Sequence, residues 1–478
     1  MRNALVLVPP NIPSMDSAAG GRYQATYNTV GTEASHWIPL WVCYAAAAVS
    51  TTRAMDCNVE GLTRDEFLRT VPPYDIYVFY ANQETIAYDC ETALLLKRSR
   101  PNSFIVFAGP YSTVASEVVV QRPGIDAVIR GEIEQPLREL CKGMDPGEVL
   151  GLTWKDGEQI IVNPGCRPLE DLDSLRWVSR IIRRDLPLLR YRIPYLNYPY
   201  ISLFSGRGCR SHCTFCLWPQ TISGHRYRTR SVADVAEEMR WVHHVLPMVR
   251  EIQIEDDTFT CDTGRVLELC DALEGAGITW SCCARYDVDG EVLYRMKRAG
   301  ARNLVVGFES GDDQILKNVR KGLNTTRART FMDDCRRVGL RVHGCFIFGL
   351  PGETRQTMEH TLAYAMELRP DTAQFAIASA YEGTEFNAYL RANQFIKDNA
   401  GITATGHLCA RYDYPALSGE EINLFTHKAW KAFYLRPRLI MRELVTAMSS
   451  REDAKRFVHG AHYVLRYLFM RNPHKKTN

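Results

Sequence analysis

The chain has 478 residues, enough for two or three domains and a sizeable core. At 46% apolar, 24% charged and 10% aromatic residues, its composition excludes a disordered, collagen-like or coiled-coil chain. Lys and Arg total 58 against 55 Asp and Glu, and the resulting +3 is too balanced for a nucleic-acid footprint. The longest apolar run, 38–50, is too short to cross a bilayer, and the N-terminus lacks a signal-peptide pattern. A soluble, cytoplasmic protein without a transmembrane segment is expected.

Taken in chain order, the first 170 residues read as an α/β unit. Ala4–Val8, Ile76–Tyr80, Ile105–Phe107 and Ala127–Ile129 are short apolar strands, with helical patterns over Asp89–Ser99 and Gln135–Cys141. Strands alternating with helices imply a doubly wound parallel sheet that binds ligands at the C-terminal ends of its strands. Loops Gly109–Val114 and Arg130–Glu132 lie at two such ends. Before Trp37 runs a glycine-rich, aperiodic stretch containing AGGRYQ (Ala19–Gln24), readable as a lid or as a surface excursion. The segment GLTWKDGEQIIV turns as a hairpin at Asp156-Gly157, and an Arg-, Tyr- and Pro-rich stretch follows.

From Tyr200 the rhythm becomes regular. Strands at Ile201–Phe204, Glu251–Glu255, Thr279–Cys283, Asn303–Phe308, Arg341–Phe348 and Thr372–Ala378 alternate with helical segments. Six such repeats imply a parallel, incompletely closed (β/α)6 barrel with its chemistry at the strands' C-terminal ends. The expected division is an α/β domain over 1–165, a linker over 166–199, a barrel over 200–384 and a helical region over 385–478. In the last region Glu420–Leu444 reads as one amphipathic piece, followed by a basic tail, RNPHKKTN. Arg436, Arg438 and Arg442 on that piece suit either a membrane surface or packing on the barrel.

Fifteen cysteines, an odd number, read as reduced thiols. Cys43, Cys90, Cys141, Cys270 and Cys345 stand singly in apolar contexts, where Cys behaves as a small hydrophobe. Cys209, Cys213 and Cys216 differ: they stand at C-x3-C-x2-C spacing directly after the first barrel strand. Such a loop can ligate three irons of a [4Fe–4S] cube and leave the fourth open to a small chelating molecule. Two other readings compete. His212 or His225 could complete a Cys3His zinc site, whereas a ferredoxin-like carrier would want a fourth cysteine at its own spacing.

With this motif the chain resembles the radical S-adenosylmethionine (SAM) superfamily. The resemblance implies that Phe215 lies beside the SAM adenine. It assigns the methionine amine to Glu255 and Asp256 in EIQIEDDTFT, and the methionine carboxylate to Arg285 in WSCCARYD. Glu309 and Ser310 in VGFESG would stand near the ribose or carboxylate. Phe346 and Phe348 in GCFIFGLPGE would support the adenine, with Gly349 allowing close approach. The N-terminal domain is similar to the cobalamin-binding domain of the cobalamin-dependent class. No D-x-H-x-x-G string appears, so no lower cobalt ligand can be named, and cobalamin is a candidate third cofactor.

More narrowly, GRGCRSHCTFCLWPQTISGHRYRTRSV, GFESG, FGLPGET and FYLRPRLI resemble the hopanoid cyclitol ether synthase group. Departures at ARYD, Glu382-Gly383-Thr384 and SHWIPLW suggest shared radical initiation on a different substrate. The related aminoglycoside diol dehydratases imply the favoured reading: dehydration at C-3′ of a glucosamine-containing aminosugar such as paromamine. Hopanoid glucosamine ring contraction and cobalamin-dependent methyl transfer are the alternatives. The reading implies an external electron donor of flavodoxin or ferredoxin type and a downstream NADPH-dependent reductase. Asp257, Tyr286 and Glu382 follow strand ends and are the candidate general acid and base.

Overall fold

Four of the opening segments are apolar on both faces, which is the composition of a strand covered from both sides. They form β1 (Ala4–Val8), β3 (Ile76–Tyr80), β4 (Phe104–Ala108) and β5 (Ala127–Ile129), with β2 (Thr52–Asp56) at the edge beside β1. The computed structural model describes residues 1–13, 36–397, 409–448 and 450–469. The expected lid segment Ala19–Gln24 and the basic tail lie outside the described residues. Antiparallel β6 (Leu152–Asp156) and β7 (Gln159–Val162) extend the sheet, whose order is β2-β1-β3-β4-β5-β6-β7. Its parallel part has the doubly wound 2-1-3-4-5 order, which places a ligand crevice beyond the C-terminal ends of the paired strands β1 and β3. The sequence TRAMD of β2 hid its strand character: it pairs on one side only and exposes Arg53.

The expected linker is packed structure. Its helix Val178–Asp185 lies against the helix Leu40–Ala47, and Asp185 accepts hydrogen bonds from Arg53 Nε at 2.6 Å and Ala54 N at 2.8 Å. The edge of β2 is thereby held to the chain that leads into the barrel.

The second sheet begins with β8 (Tyr200–Leu203). A two-residue pair, β9 (Gly206–Arg207) and β10 (Arg228–Thr229), brackets the cysteine loop. The remaining strands are β11 (Glu251–Ile254), β12 (Trp280–Ala284), β13 (Ala301–Glu309), β14 (Arg341–Phe348) and β15 (Thr372–Ile377). They run parallel in the order β15-β14-β13-β12-β11-β8, with no pairing between β15 and β8, so the barrel is open. At the free edge of β15, Tyr434 Oη accepts from Ala373 N at 2.9 Å and donates to Ala373 O at 2.6 Å. One phenol thus satisfies the backbone groups that a neighbouring strand would have paired.

The single amphipathic piece expected over 420–444 is two helices, Gly419–Tyr434 and Pro437–Ala447. Pro437 lacks the N–H needed to continue the first helix and starts the second. Leu439 is buried and Arg442 donates to the carbonyls of Pro370 and Asp371, so this helix packs on the barrel. Among the described residues no helix is long and apolar enough to cross a membrane.

Arg207 joins the two sheets. Its guanidinium lies 2.6 Å from Glu134 Oε1 and 3.5 Å from Glu132 Oε1, both supplied by the end of the first sheet. Arg228 meets Glu132 at 2.6 Å, and the rings of Trp41 and Tyr44 lie 4.7 and 4.8 Å from the Arg207 guanidinium carbon. Burial works against the ionised guanidinium of Arg207, but Glu134 and Glu132 outweigh it and hold the group charged.

Candidate active site

The C-terminal ends of both sheets face one cavity of about 250 Å3. Val8 at the end of β1 and Tyr80 at the end of β3 line it from the first sheet, with Trp37 and Trp41 beside them. Cys209, Cys213 and Cys216 line it from the loop after β8. That loop is fastened at several points. His225 Nδ1 lies 3.2 and 3.0 Å from the carbonyls of Cys209 and Ser211, and Gln220 Nε2 donates to the Cys213 and Thr214 carbonyls at 3.3 and 3.2 Å. Gly208 has φ +93, and an added Cβ would strike the Arg226 carbonyl, so only glycine carries the chain into the loop.

Most of the sequence-derived site residues meet here. Phe215, Glu255, Asp256, Asp257, Arg285 and Glu309 all line the cavity with the three thiols. Burial pushes the Glu255 carboxyl up to about 8, opposed by a distant Ser202 hydroxyl at 3.5 Å. Burial likewise raises Asp257 to about 6, although Ser223 Oγ donates to it at 3.0 Å. Asp256 is already saturated. It accepts from Ser205 N and Ser205 Oγ at 2.6 Å and from Tyr227 Oη at 2.7 Å, so it fixes the start of the cysteine loop. Arg285 Nη1 donates to Ser211 Oγ at 2.6 Å, which ties the third strand end to the cysteine loop.

The other assignments fall off the cavity, for a reason of strand geometry. Side chains alternate along β14: Cys345 and Ile347 face the cavity, whereas Phe346 and Phe348 point into the helical layer. There Phe346 stacks on Phe308 and Phe375 at 5.6 and 5.5 Å, and Phe348 meets Phe425 at 5.1 Å. Cys345, read as a buried hydrophobe, is therefore a wall of the site. Gly349 is needed for packing, since a Cβ there would strike Tyr412, whose hydroxyl donates to the Gly349 carbonyl at 3.0 Å. Ser310 accepts from Asp312 N at 3.2 Å and contacts Thr361 Oγ1 at 3.1 Å, so it shapes the turn after β13. Tyr286 is 1% exposed, with its ring stacked on Phe308. Glu382 pairs with Arg391 beside a separate small cavity. None of these last three lines the main cavity.

Lys321 is the residue that motif reading missed. Its Nζ lies 2.8 Å from Glu309 Oε1 with both side chains about nine-tenths buried, and it lines the cavity beside Cys213. The pairing holds Glu309 in a left-handed conformation, φ +64, at the bulge that ends the β13–β14 pairing. Only the break between the helices Asp313–Asn318 and Thr325–Val338 marks the position in sequence.

The donor set suits a cube. Three thiols on one fastened loop face the cavity, and burial pushes Cys213 and Cys216 up, so ligation would displace protons. Among the described residues no three His, Cys, Asp or Glu side chains are grouped so as to hold a single metal ion. His212 instead stacks on His225, with ring centres 4.0 Å apart. A corrinoid also fits the first sheet: Tyr80 Oη and Ser112 Oγ are buried at the ends of β3 and β4 without a partner. No histidine stands at those strand ends among the described residues.

The buried carboxyls make stability depend on pH. Glu353, whose Oε2 accepts from the amides of Gly349 and Leu350, is raised by burial to about 8, as Glu255 is. Folded, both stay protonated up to that pH; unfolded, they ionise near 4.5. Their contribution is therefore complete below the unfolded value and is lost as pH rises through the folded one. Chemical denaturation at pH 5.5 and 7.5 is expected to show stability falling. In Glu353→Gln the slope should be smaller by up to about 1.4 kcal/mol per pH unit. Equal slopes in the two proteins would refute this.

The profile of the Radical SAM superfamily matches residues 203–365. The chain is 30% identical over 424 residues to the uncharacterized methyltransferase PH0819 of Pyrococcus horikoshii, covering 85% of this chain and 90% of that protein. It is 26% identical over 362 residues to cytidylyl-2-hydroxyethylphosphonate methyltransferase of Streptomyces wedmorensis, covering 67% of each. Its fold is similar to the cobalamin-dependent SAM radical enzyme OxsB, with TM-score 0.67 and 16% identity over 98% of this chain and 72% of that one. It is also similar to the radical SAM methyltransferase TsrM of Kitasatospora setae, with TM-score 0.59 and 15% identity over 82% and 76% of the two chains.

Proposed function

The chain belongs to the radical SAM superfamily, and from that premise we propose that it is a cobalamin-dependent radical SAM methyltransferase acting on a small molecule. One observation carries the reading: the β1–β3 crevice of the doubly wound sheet and the three-cysteine loop open into the same cavity. Two cofactors held at those places would meet over one substrate. The reading also agrees with the named activity of the methyltransferases that the chain resembles.

When bound, the cluster would supply one-electron reduction of SAM, drawn from a flavodoxin- or ferredoxin-type donor, and cobalamin would supply methyl-group chemistry. The chain's own residues bind and orient. Cys209, Cys213 and Cys216 would hold the cluster, and Phe215 offers an aromatic face to the adenine. Arg285 supplies a guanidinium whose geometry matches the methionine carboxylate, and Glu255 presents an acceptor to the amine. Trp37, Trp41 and Trp218 wall the cavity with apolar surface and keep water from the reacting carbon.

Aminosugar dehydration has one observation in its favour. Glu255 and Asp257, raised to about 8 and about 6, are two cavity carboxyls suited to giving and taking protons near neutral pH. One assay separates the readings. Anaerobically reconstituted protein, loaded with cobalamin, receives reductant, SAM bearing a CD3 methyl group, and a panel of small acceptors that includes paromamine. Transfer of CD3 to an acceptor, with S-adenosylhomocysteine and 5′-deoxyadenosine formed, supports methyl transfer. Loss of one water from paromamine without label overturns it.

A further inference from the structure

A second cavity, of about 280 Å3, lies at the opposite end of the barrel. It opens between the N-terminal starts of β14 and β15 and the helices Pro437–Ala447 and Arg451–Phe469. Its walls are hydrocarbon, supplied by Ile193, Tyr434, Leu435, Leu439, Ile440 and Phe457. Its floor is polar. Tyr195, His343 and Gln374 line it at 6%, 5% and 5% exposure, and Gln374 is also a wall of the reaction cavity. The Tyr195 ring stacks on His343 at 4.0 Å, and His343 Nδ1 lies 2.7 Å from Thr372 Oγ1.

Tyr195 Oη has no hydrogen-bond partner within the protein, whereas the Gln374 amide shares a hydrogen bond with His343. Leaving a buried donor unmet costs about 1–3 kcal/mol, and here one of them ends an apolar cavity. An acceptor oxygen carried on a hydrocarbon body would satisfy it while its body fills the apolar walls. The charged groups at the side pair with one another. Glu443 takes Arg341 at 3.0 Å and Arg456 at 3.2 Å, and Arg456 reaches Asp453 at 3.3 Å. The floor groups Tyr195, His343 and Gln374 are uncharged, with burial holding His343 down to about 3, which favours a neutral head. The rim residues Leu435, Ile440 and Leu465 are 53%, 40% and 53% exposed, so an apolar body has an apolar way in.

We propose that this second cavity binds the hydrocarbon part of a neutral amphiphile, whose oxygen accepts a hydrogen bond from Tyr195. The site shares Gln374 with the first cavity, and its test needs no turnover. The full chain is titrated with prodan, an environment-sensitive aromatic ketone with one acceptor oxygen. Saturable one-to-one binding with a blue-shifted emission is expected. Gly460 lines the cavity, and a Cβ there would meet nothing within 4 Å. Gly460→Leu therefore fills the space while raising helix propensity, which keeps the variant folded. It should weaken prodan at least about tenfold.

Met441 is 59% exposed and lines no part of the cavity, so Met441→Gln should bind as the unaltered chain does. 1-Decanol should displace prodan better than decane, and Tyr195→Phe should shrink that preference. Equal binding by Gly460→Leu, loss of binding in Met441→Gln, or no preference for the alcohol would each overturn the proposal.

Discussion

Replacing any one of Cys209, Cys213 or Cys216 with alanine is expected to abolish SAM cleavage. Formation of 5′-deoxyadenosine under reducing conditions is expected to fall at least about a thousandfold, since parts of an indivisible catalytic unit fail together. Iron bound after anaerobic reconstitution should fall with it, from roughly four atoms per chain towards none. Folding should survive. The loop is fastened by His225, Gln220 and Asp256, which act through backbone groups or through Ser205 and not through the thiols. Circular dichroism and denaturation midpoints of the metal-free variants should therefore match those of the metal-free parent. A single variant that keeps both its iron and its turnover would remove the premise of the assigned chemistry.

Replacing Arg207 with methionine does the reverse, striking the fold first. The guanidinium is 1% exposed and faces Glu134 and Glu132, which are themselves 1% and 5% exposed. Methionine fills much of the same space but leaves Glu134 without its cation, and Glu132 with only Arg228. Removing one partner of a buried ionic group costs about 3–5 kcal/mol. Because Arg207 ties the first sheet to the strand leading into the cysteine loop, the loss should appear twice. The denaturation midpoint should drop, and the cysteine loop should become open to thiol-alkylating reagents in the metal-free protein. The triple variant Arg207→Met, Glu132→Gln, Glu134→Gln removes the stranded charges and should recover most of the stability. Failure to recover would mean that packing on Trp41 and Tyr44 dominates.

Much of this was legible from residue pattern alone, because the barrel strands are apolar runs of near-regular spacing. The spacing of Cys209, Cys213 and Cys216 named the loop, and the chain order of EDD, ARYD and GFES placed its companions around one cavity. Failures came where one-dimensional reading carries no facing information. Phe346 and Phe348 lie in a motif that resembles an adenine-supporting strand, but the two-residue repeat of β14 sends Cys345 and Ile347 inward instead. Lys321 went unseen because its partner, Glu309, is brought beside it by the turn after β13. Asp256 looked like a ligand-binding carboxylate until its three hydrogen bonds to Ser205 and Tyr227 were in view. For substrate, the likeness to dehydratases was local to motifs, whereas the 30% identity to a methyltransferase extends over 85% of the chain.

The phenol of Tyr434 at the margin of β15 has one more implication. A ring of strands closed by its own hydrogen-bond ladder has a bore set by strand number, and its interior fills with side chains. Here the ladder stops, and a single hydroxyl finishes it. The width of the bore is then governed by the helices that span the gap. Relatives could change the size of molecule they admit by altering that helical cover, while every strand and every residue around the cysteines stayed as it is.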